Sequence, residues 1–167
     1  TDVSAEYYIG EASMLNFAAF WVDIESFTAS GERRGSFPDS DGVIRREVNV
    51  STTVLGEGGE ISGWEAGAKL AFSDFTDGAL ENFGLDVNYT RAPSDSNDTG
   101  LNGEALPFPD NSEEQYNIVG WYQDDKLQAR LAYNYRSDRY TGPAGGGVAG
   151  FQDGIGYLDA QLSYSIN

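Results

Sequence analysis

Apolar and polar residues alternate along most of this chain, and that period of two constrains its fold more than any other feature. Successive side chains point to opposite faces only in extended backbone, so alternation predicts strands with one face in an apolar setting. In Leu127–Arg136, one face carries Leu127, Ala129, Leu131, Tyr133 and Tyr135. The other carries Gln128, Arg130, Ala132, Asn134 and Arg136. Near the end, Leu158, Ala160, Leu162, Tyr164 and Ile166 alternate with Asp159, Gln161, Ser163 and Ser165. Trp64, Ala66, Ala68, Leu70 and Phe72 oppose Glu65, Gly67, Lys69 and Ala71. Phe83, Leu85, Val87 and Tyr89 oppose Gly84, Asp86, Asn88 and Thr90, and Val3, Ala5, Tyr7 and Ile9 oppose Asp2, Ser4, Glu6 and Tyr8. Two runs, Met14–Phe27 and Gln115–Tyr122, are apolar on both faces near their middles. Their aromatic and β-branched content still reads as strand. A helix is the rival for Met14–Phe20, but the turn signals and strands on either side favour extended chain.

The connectors alternate in length. Gly10–Ser13 is short, about 28–60 very long, Asp74–Asn82 moderate, about 92–114 long, Asp124–Lys126 tight, and about 137–155 long. Long loops are uncommon in a compact soluble domain. Short turns at one end and long loops at the other are the form of an outer-membrane barrel. Runs of about 9–11 residues are the length a tilted strand needs to cross the hydrocarbon core. Tyr7, Tyr8, Trp21, Trp64, Tyr89, Tyr133, Tyr135 and Tyr164 lie near run ends, where a barrel keeps its aromatic girdles. The expected fold is all-β: an antiparallel up-and-down meander of about seven strands, part of a large transmembrane β-barrel. Single-chain bacterial barrels use an even number of strands, at least eight. An open sheet would leave edges unpaired in lipid. Seven strands therefore predict a piece of a larger protein. The alternative is a soluble, secreted all-β module that buries its apolar faces in one core and holds carbohydrate with loop aromatics.

Composition narrows the functions. With 13% aromatic residues the chain as a whole is not disordered. A net charge of −17 repels nucleic acid and anionic lipid heads, so no nucleic-acid partner is expected. The chain has no cysteine and no histidine, which removes disulfides, thiolate catalysis and the commonest general base and metal ligand. A Ser-His-Asp or HExxH enzyme cannot be built from it. No run of 18 apolar residues suggests a membrane helix, and Thr1–Gly10 lacks the pattern of a signal peptide.

Several segments resemble the β-barrel of TonB-dependent receptors. MLNFAAFWVDIESF (14–27) resembles a family strand ending in an aromatic, an acid and a final Phe or Ile. EISGWEAGAKL (60–70) resembles the Gly-aromatic-Glu-x-Gly strand opening, and FGLDVNYT (83–90) the strand after it. LPFPDNSEEQYNIVGWYQDDKLQARLAYNYRSDRY (106–140) resembles the Leu-Pro segment, its aromatic hairpin and the Ala-Arg-Leu-Ala-Tyr-Asn-Tyr-Arg strand. YLDAQLSYSIN (157–167) resembles the strand carrying Leu-Asp-Ala and Ser-Tyr. The likeness spans nearly the whole chain. It implies the later strands of a barrel of about 22 strands around a plug, without the plug and without the final strands. It further implies a place in the outer membrane of a Gram-negative bacterium and active uptake of a siderophore, cobalamin or oligosaccharide. The implied partners are outer-membrane lipid, the rest of the barrel and plug, TonB through a plug segment, and a small nutrient ligand.

No catalytic, cofactor-binding or metal-binding residue emerges, and the chain is not expected to be an enzyme. Gly145-x-Gly147-x-x-Gly150 has the letters of a dinucleotide fingerprint but lacks the following helix. Asp95-x-Asn97-x-Thr99-Gly100 opens like a calcium loop, yet the twelfth place is Leu106. Asp124-Asp125 and Glu113-Glu114 are neighbours whose side chains diverge in extended chain, so they read as polar turn and loop end. The sequons at Asn49, Asn88 and Asn97 read as chance. Glu65, Lys69, Asp86, Asn88, Gln128, Arg130, Asn134, Arg136, Asp159 and Gln161 form the inferred inward face, where bonding to neighbours or plug is the plainer role. Phe37, Phe108, Tyr140 and Phe151 are loop aromatics suited to a ligand or to loop-on-loop packing.

Overall fold

The computed structural model describes residues 1–144 and 148–166. Seven strands form one antiparallel meander in the order β1 (Asp2–Ile9), β2 (Ser13–Pro38), β3 (Ile44–Ala71), β4 (Phe83–Arg91), β7 (Glu114–Gln123), β8 (Leu127–Arg136) and β11 (Ile155–Tyr164). Met14–Phe20 lies within β2, and the only helical element among the described residues is a 3-10 turn at Phe72–Asp74.

Register joins the separate alternations into one surface. Tyr7 faces Leu15, Leu15 faces Ala68, and Ala68 faces Val87. Val87 faces Ile118, Ile118 faces Tyr133, and Tyr133 faces Leu158. Directly paired residues share a face, so every strand turns its apolar set the same way. A one-residue slip anywhere would reverse a whole strand. The two ambiguous runs resolve here: Leu15, Phe17 and Trp21 join the apolar face, as do Tyr116, Ile118 and Tyr122.

A soluble sandwich would cover this face with a second sheet. Among the described residues nothing does: Leu131, Leu158 and Leu162 are 52%, 67% and 72% exposed. Such an apolar sheet face suits lipid and not water. Aromatic rings line its upper part, with Trp64 and Tyr89 at 5.1 Å and Tyr116 and Tyr135 at 4.9 Å between centroids. Phe83 and Tyr122, 4.8 Å apart, lie at its lower end. From Phe83 to Tyr89 the strand runs roughly 20 Å, or about 14 Å of height at a 45° tilt, which fits inside a barrel's apolar band of about 25 Å.

The tight end is built on carboxylates. Asp74, in the turn after β3, accepts from the backbone N–H of Glu11 (2.9 Å) and Ala12 (3.1 Å) in the β1–β2 turn. The Ser13 hydroxyl and these N–H groups hold its carboxyl below the ordinary aspartate range. Gly10, at φ +60°, has no room for a Cβ against Asp74. In the next turn Asp124 accepts from the Tyr122 hydroxyl (2.6 Å) and the N–H of Leu127 (2.7 Å) and Lys126 (2.8 Å).

The opposite end departs from expectation. The segment at about 28–60, read as a connector, is mostly continuous ladder. Strands β2 and β3 pair from Met14↔Lys69 to Pro38↔Ile44, around a turn at Asp39–Val43. There Asp39 accepts from the N–H of Asp41 (3.0 Å) and Val43 (2.9 Å) and binds Arg45 Nε at 2.9 Å. Twenty-six residues of β2 reach roughly 85 Å, far more than a bilayer core of about 30 Å. The other two connectors also begin as ribbons. Strand β5 (Ser94–Thr99) continues beside β3 beyond β4 and pairs β6 (Ala105–Leu106). Strands β9 (Arg139–Pro143) and β10 (Ala149–Gln152) pair above β8 and β11. Both faces of such ribbons meet water, so their sequences carry little alternation to read.

Candidate functional site

The face opposite the apolar band is polar. All ten residues inferred to point inward lie on it by register, and they fall into rows across the strands. One row runs Glu65, Thr90, Gln115, Arg136, with the Thr90 hydroxyl donating to Glu65 Oε1 at 3.4 Å. The next runs Asn16, Gly67, Asn88, Asn117, Asn134, Tyr157. Gly67 has no space for a Cβ between the Asn16 and Asn88 amides, so a larger residue there would spread the row. Asn117 Nδ2 donates to Asn134 Oδ1. A third row sets Lys69 beside Asp86, then Val119, Ala132 and Asp159. Asp86 Oδ1 is shut off from solvent without a hydrogen-bond partner among the described residues. A fourth sets Gly84 beside Trp121, Arg130 and Gln161, and Gln128 stands between Gln123 and Ser163. The Trp121 indole lies over Gly84, where a Cβ would overlap it.

Asn16, Gln115, Asn117, Trp121 and Tyr157 were not singled out from the sequence. For Asn117 a signal was available. The tight turn at Asp124–Lys126 sets Gln123 against Gln128, and counting outward brings Asn117 to Asn134. For Asn16 there was none, because its place depends on two intervening strands.

Above the polar face the connectors pack on one another. Ser94, Asn111, Ser112 and Ser137 tie their bases together. Asn111 Nδ2 donates to Ala92 O (2.8 Å) and Ser94 Oγ (3.0 Å), and Ser112 Oγ to Ser137 O (3.0 Å). Arg136 donates to Ser112 Oγ (3.1 Å) and Asp110 O (3.2 Å), and Arg139 pairs with Asp110 at 3.1 Å. Phe108 is buried edge-on against Phe27 at 5.3 Å. Tyr140 is buried beside Phe151 at 5.6 Å, and burial raises its hydroxyl pKa. Phe37 lies apart, near the tip of the β2–β3 ribbon beside Gly35. An open groove of about 730 Å³ runs between the connectors, lined by Ile24, Phe27, Ile61, Phe108, Asn111 and Thr141 among others.

The remaining motifs find structural places. Asp95 lies in β5, paired with Glu60, in extended backbone and not in a calcium loop. Asp124 shapes a turn, and Glu113 binds Arg91 at 2.6 Å. Gly145 and Gly147 of the glycine motif lie outside the described residues.

One sequence family matches the chain: "TonB dependent receptor-like, beta-barrel", over residues 1–167. No curated protein and no solved structure matches. That family is a transporter family of the Gram-negative outer membrane and not an enzyme family. An antiparallel meander with one apolar face, one polar face, short turns at one end and long ribbons at the other is the wall such a barrel requires, and the chain belongs to the TonB-dependent receptor β-barrel family.

Proposed function

We propose that this chain forms part of the wall of a receptor for active uptake of a scarce nutrient, with its three long ribbons outside the cell. The ribbons would collect the nutrient, and the polar inner face would bound its route past the plug. The observation that carries this is the division of the sheet. All tight turns lie at one end, and all long connectors, with their groove, lie at the other. Uptake against a gradient needs TonB, whose contact lies in the plug and not in this wall.

The chain has no cysteine, so single cysteines report position cleanly. In the full receptor, Asp41→Cys at the ribbon tip should react with a membrane-impermeant maleimide on intact cells. Asp77→Cys, in the β3–β4 connector at the opposite end, should react only after the outer membrane is opened. Labelling of Asp77→Cys and not Asp41→Cys on intact cells would reverse the assignment. Equal labelling of both in a soluble fraction would remove the membrane reading.

A further inference from the structure

The apolar face carries a hollow where a side chain is missing. Gly120 stands on that face between Leu85 and Leu131, and a Cβ added there would meet nothing within 4 Å. One row nearer the tight turn, Ala129 stands between Tyr122 and Leu162. These two short positions floor an open hollow of about 620 Å³, walled by Phe83, Leu85, Leu131 and Leu162. Both floor strands are paired on each side, β7 by β4 and β8, and β8 by β7 and β11, so the hollow does not come from a sheet edge. Ala129 and Leu131 lie roughly 10 to 17 Å of strand beyond Lys126, or about 7 to 12 Å of depth at a 45° tilt. That is within the half-thickness of about 15 Å that one leaflet fills.

The foot of the hollow is charged. The Tyr122 hydroxyl donates to Asp124 at 2.6 Å, which fixes the ring between the hollow and the turn. Asp124 also accepts from the N–H of Leu127 and Lys126, so its carboxylate is occupied. Its neighbours Asp125 and Lys126 are exposed, and neither has an ionic partner among the described residues. The turns at this end carry Glu11, Asp74, Asp77, Glu81, Asp124 and Asp125 against Lys126 alone. A rim of that sign repels a lipid head with net negative charge. It accepts a head of no net charge whose phosphate meets the lysine and whose ammonium meets a carboxylate.

We propose that Gly120, Ala129, Asp125 and Lys126 form a binding site for a phospholipid with an aminoethyl head, in the leaflet on the tight-turn side. One acyl chain lies in the hollow, the phosphate takes Lys126 and the ammonium takes Asp125. The inference goes beyond uptake and rests on the reading of this face as lipid-facing. Elsewhere on the band, lipid chains meet protruding side chains such as Leu15, Phe17 and Ile118. Here an apolar hollow and an unpaired set of opposite charges stand one above the other.

The test uses the full receptor in detergent, with native mass spectrometry after addition of phosphatidylethanolamine, phosphatidylglycerol or phosphatidylcholine of identical acyl chains. The parent should retain phosphatidylethanolamine over the other two. Gly120→Leu fills the hollow and should lower that retention by about threefold or more. Lys126→Ala removes the phosphate partner and should lower it about two- to fivefold, the range of one exposed ion pair. Ala5→Leu, on the same face but on distant β1, should behave as the parent does. Lys126→Ala changes only an exposed turn residue, so it tests the site even where Gly120→Leu fails to fold. Equal retention of the three lipids overturns the proposal, as does a preference for either of the other two. Retention of phosphatidylethanolamine that neither variant lowers also overturns it. The maleimide pattern tests the membrane reading separately, so a receptor that labels as expected and shows no lipid preference loses this site and keeps its place in the wall.

Discussion

Leu131 and Leu127 share strand β8 and the apolar face, and they differ mainly in depth. Leu127 follows the tight turn, and Leu131 lies four residues further along. At about 3.3 Å per residue that separation is roughly 13 Å of strand, or about 9 Å of depth at a 45° tilt. In an apolar band about 25 Å tall, Leu131 is near the middle and Leu127 near the rim. An arginine at the midplane of a barrel costs about 2–4 kcal/mol, and one near the interface about 0–1 kcal/mol. Leu131→Arg should therefore lower the folding constant by about thirtyfold to a thousandfold, and Leu127→Arg by less than about tenfold. The assay is reversible folding of the full receptor barrel into phospholipid vesicles, followed by tryptophan fluorescence against guanidinium chloride. If this face met water, both arginines would be tolerated within about 0.5 kcal/mol. Equal penalties at the two positions, or a larger one at Leu127, would refute the assignment of this face to lipid.

Other outcomes follow from individual contacts. Gly84→Val places atoms where the Trp121 indole lies. It should destabilise the barrel by about 1–3 kcal/mol and shift tryptophan emission, and Trp121→Ala should relieve most of the loss in a double-mutant cycle. Asp74 has a lowered folded-state pKa. Its stabilisation is thus complete above the unfolded value of about 3.9 and is lost as pH falls through the lower folded value. Denaturant midpoints measured down through that window should fall for the parent and stay flatter for Asp74→Asn. Phe108→Ala empties the buried contact with Phe27, so limited proteolysis should cut within 92–113 faster while the membrane band stays intact.

The charge is unevenly spread between faces and ends. The connector at 92–114 holds Asp95, Asp98, Glu104, Asp110, Glu113 and Glu114 and no lysine or arginine, whereas the ribbon at 28–60 carries Arg33, Arg34, Arg45 and Arg46. Two of these arginines are paired within the ribbon, Arg34 with Glu47 at 2.8 Å and Arg45 with Asp39 at 2.9 Å. All four groups except Asp39 are largely exposed, so these pairs add little stability. The ribbon also holds Glu32, Asp39, Asp41, Glu47, Glu57 and Glu60, so both segments are acidic, the 92–114 connector more strongly, and together they favour the approach of cations.

Alternation alone determined the strand class, the seven strands of the meander and the sorting of side chains to two faces. A period of two is written by a difference between faces, and lipid on one side with a polar interior on the other makes that difference large. Where the difference vanishes, so does the signal. Residues 28–60 looked like a connector because both faces of the ribbon are wet, although the ladder continues through them. Register was the other quantity that only tertiary structure decided. The tight turn at Asp124–Lys126 makes the pairing of Asn117 with Asn134 legible, because few residues separate the strands. The alignment of Asn16, Gly67 and Asn88 with them spans long connectors, and its register is set by the common need of every strand to turn its apolar side to the lipid. The packing of Phe27 on Phe108 and of Trp121 over Gly84 likewise belongs to pairs of strands and connectors, and no single run of residues carries it.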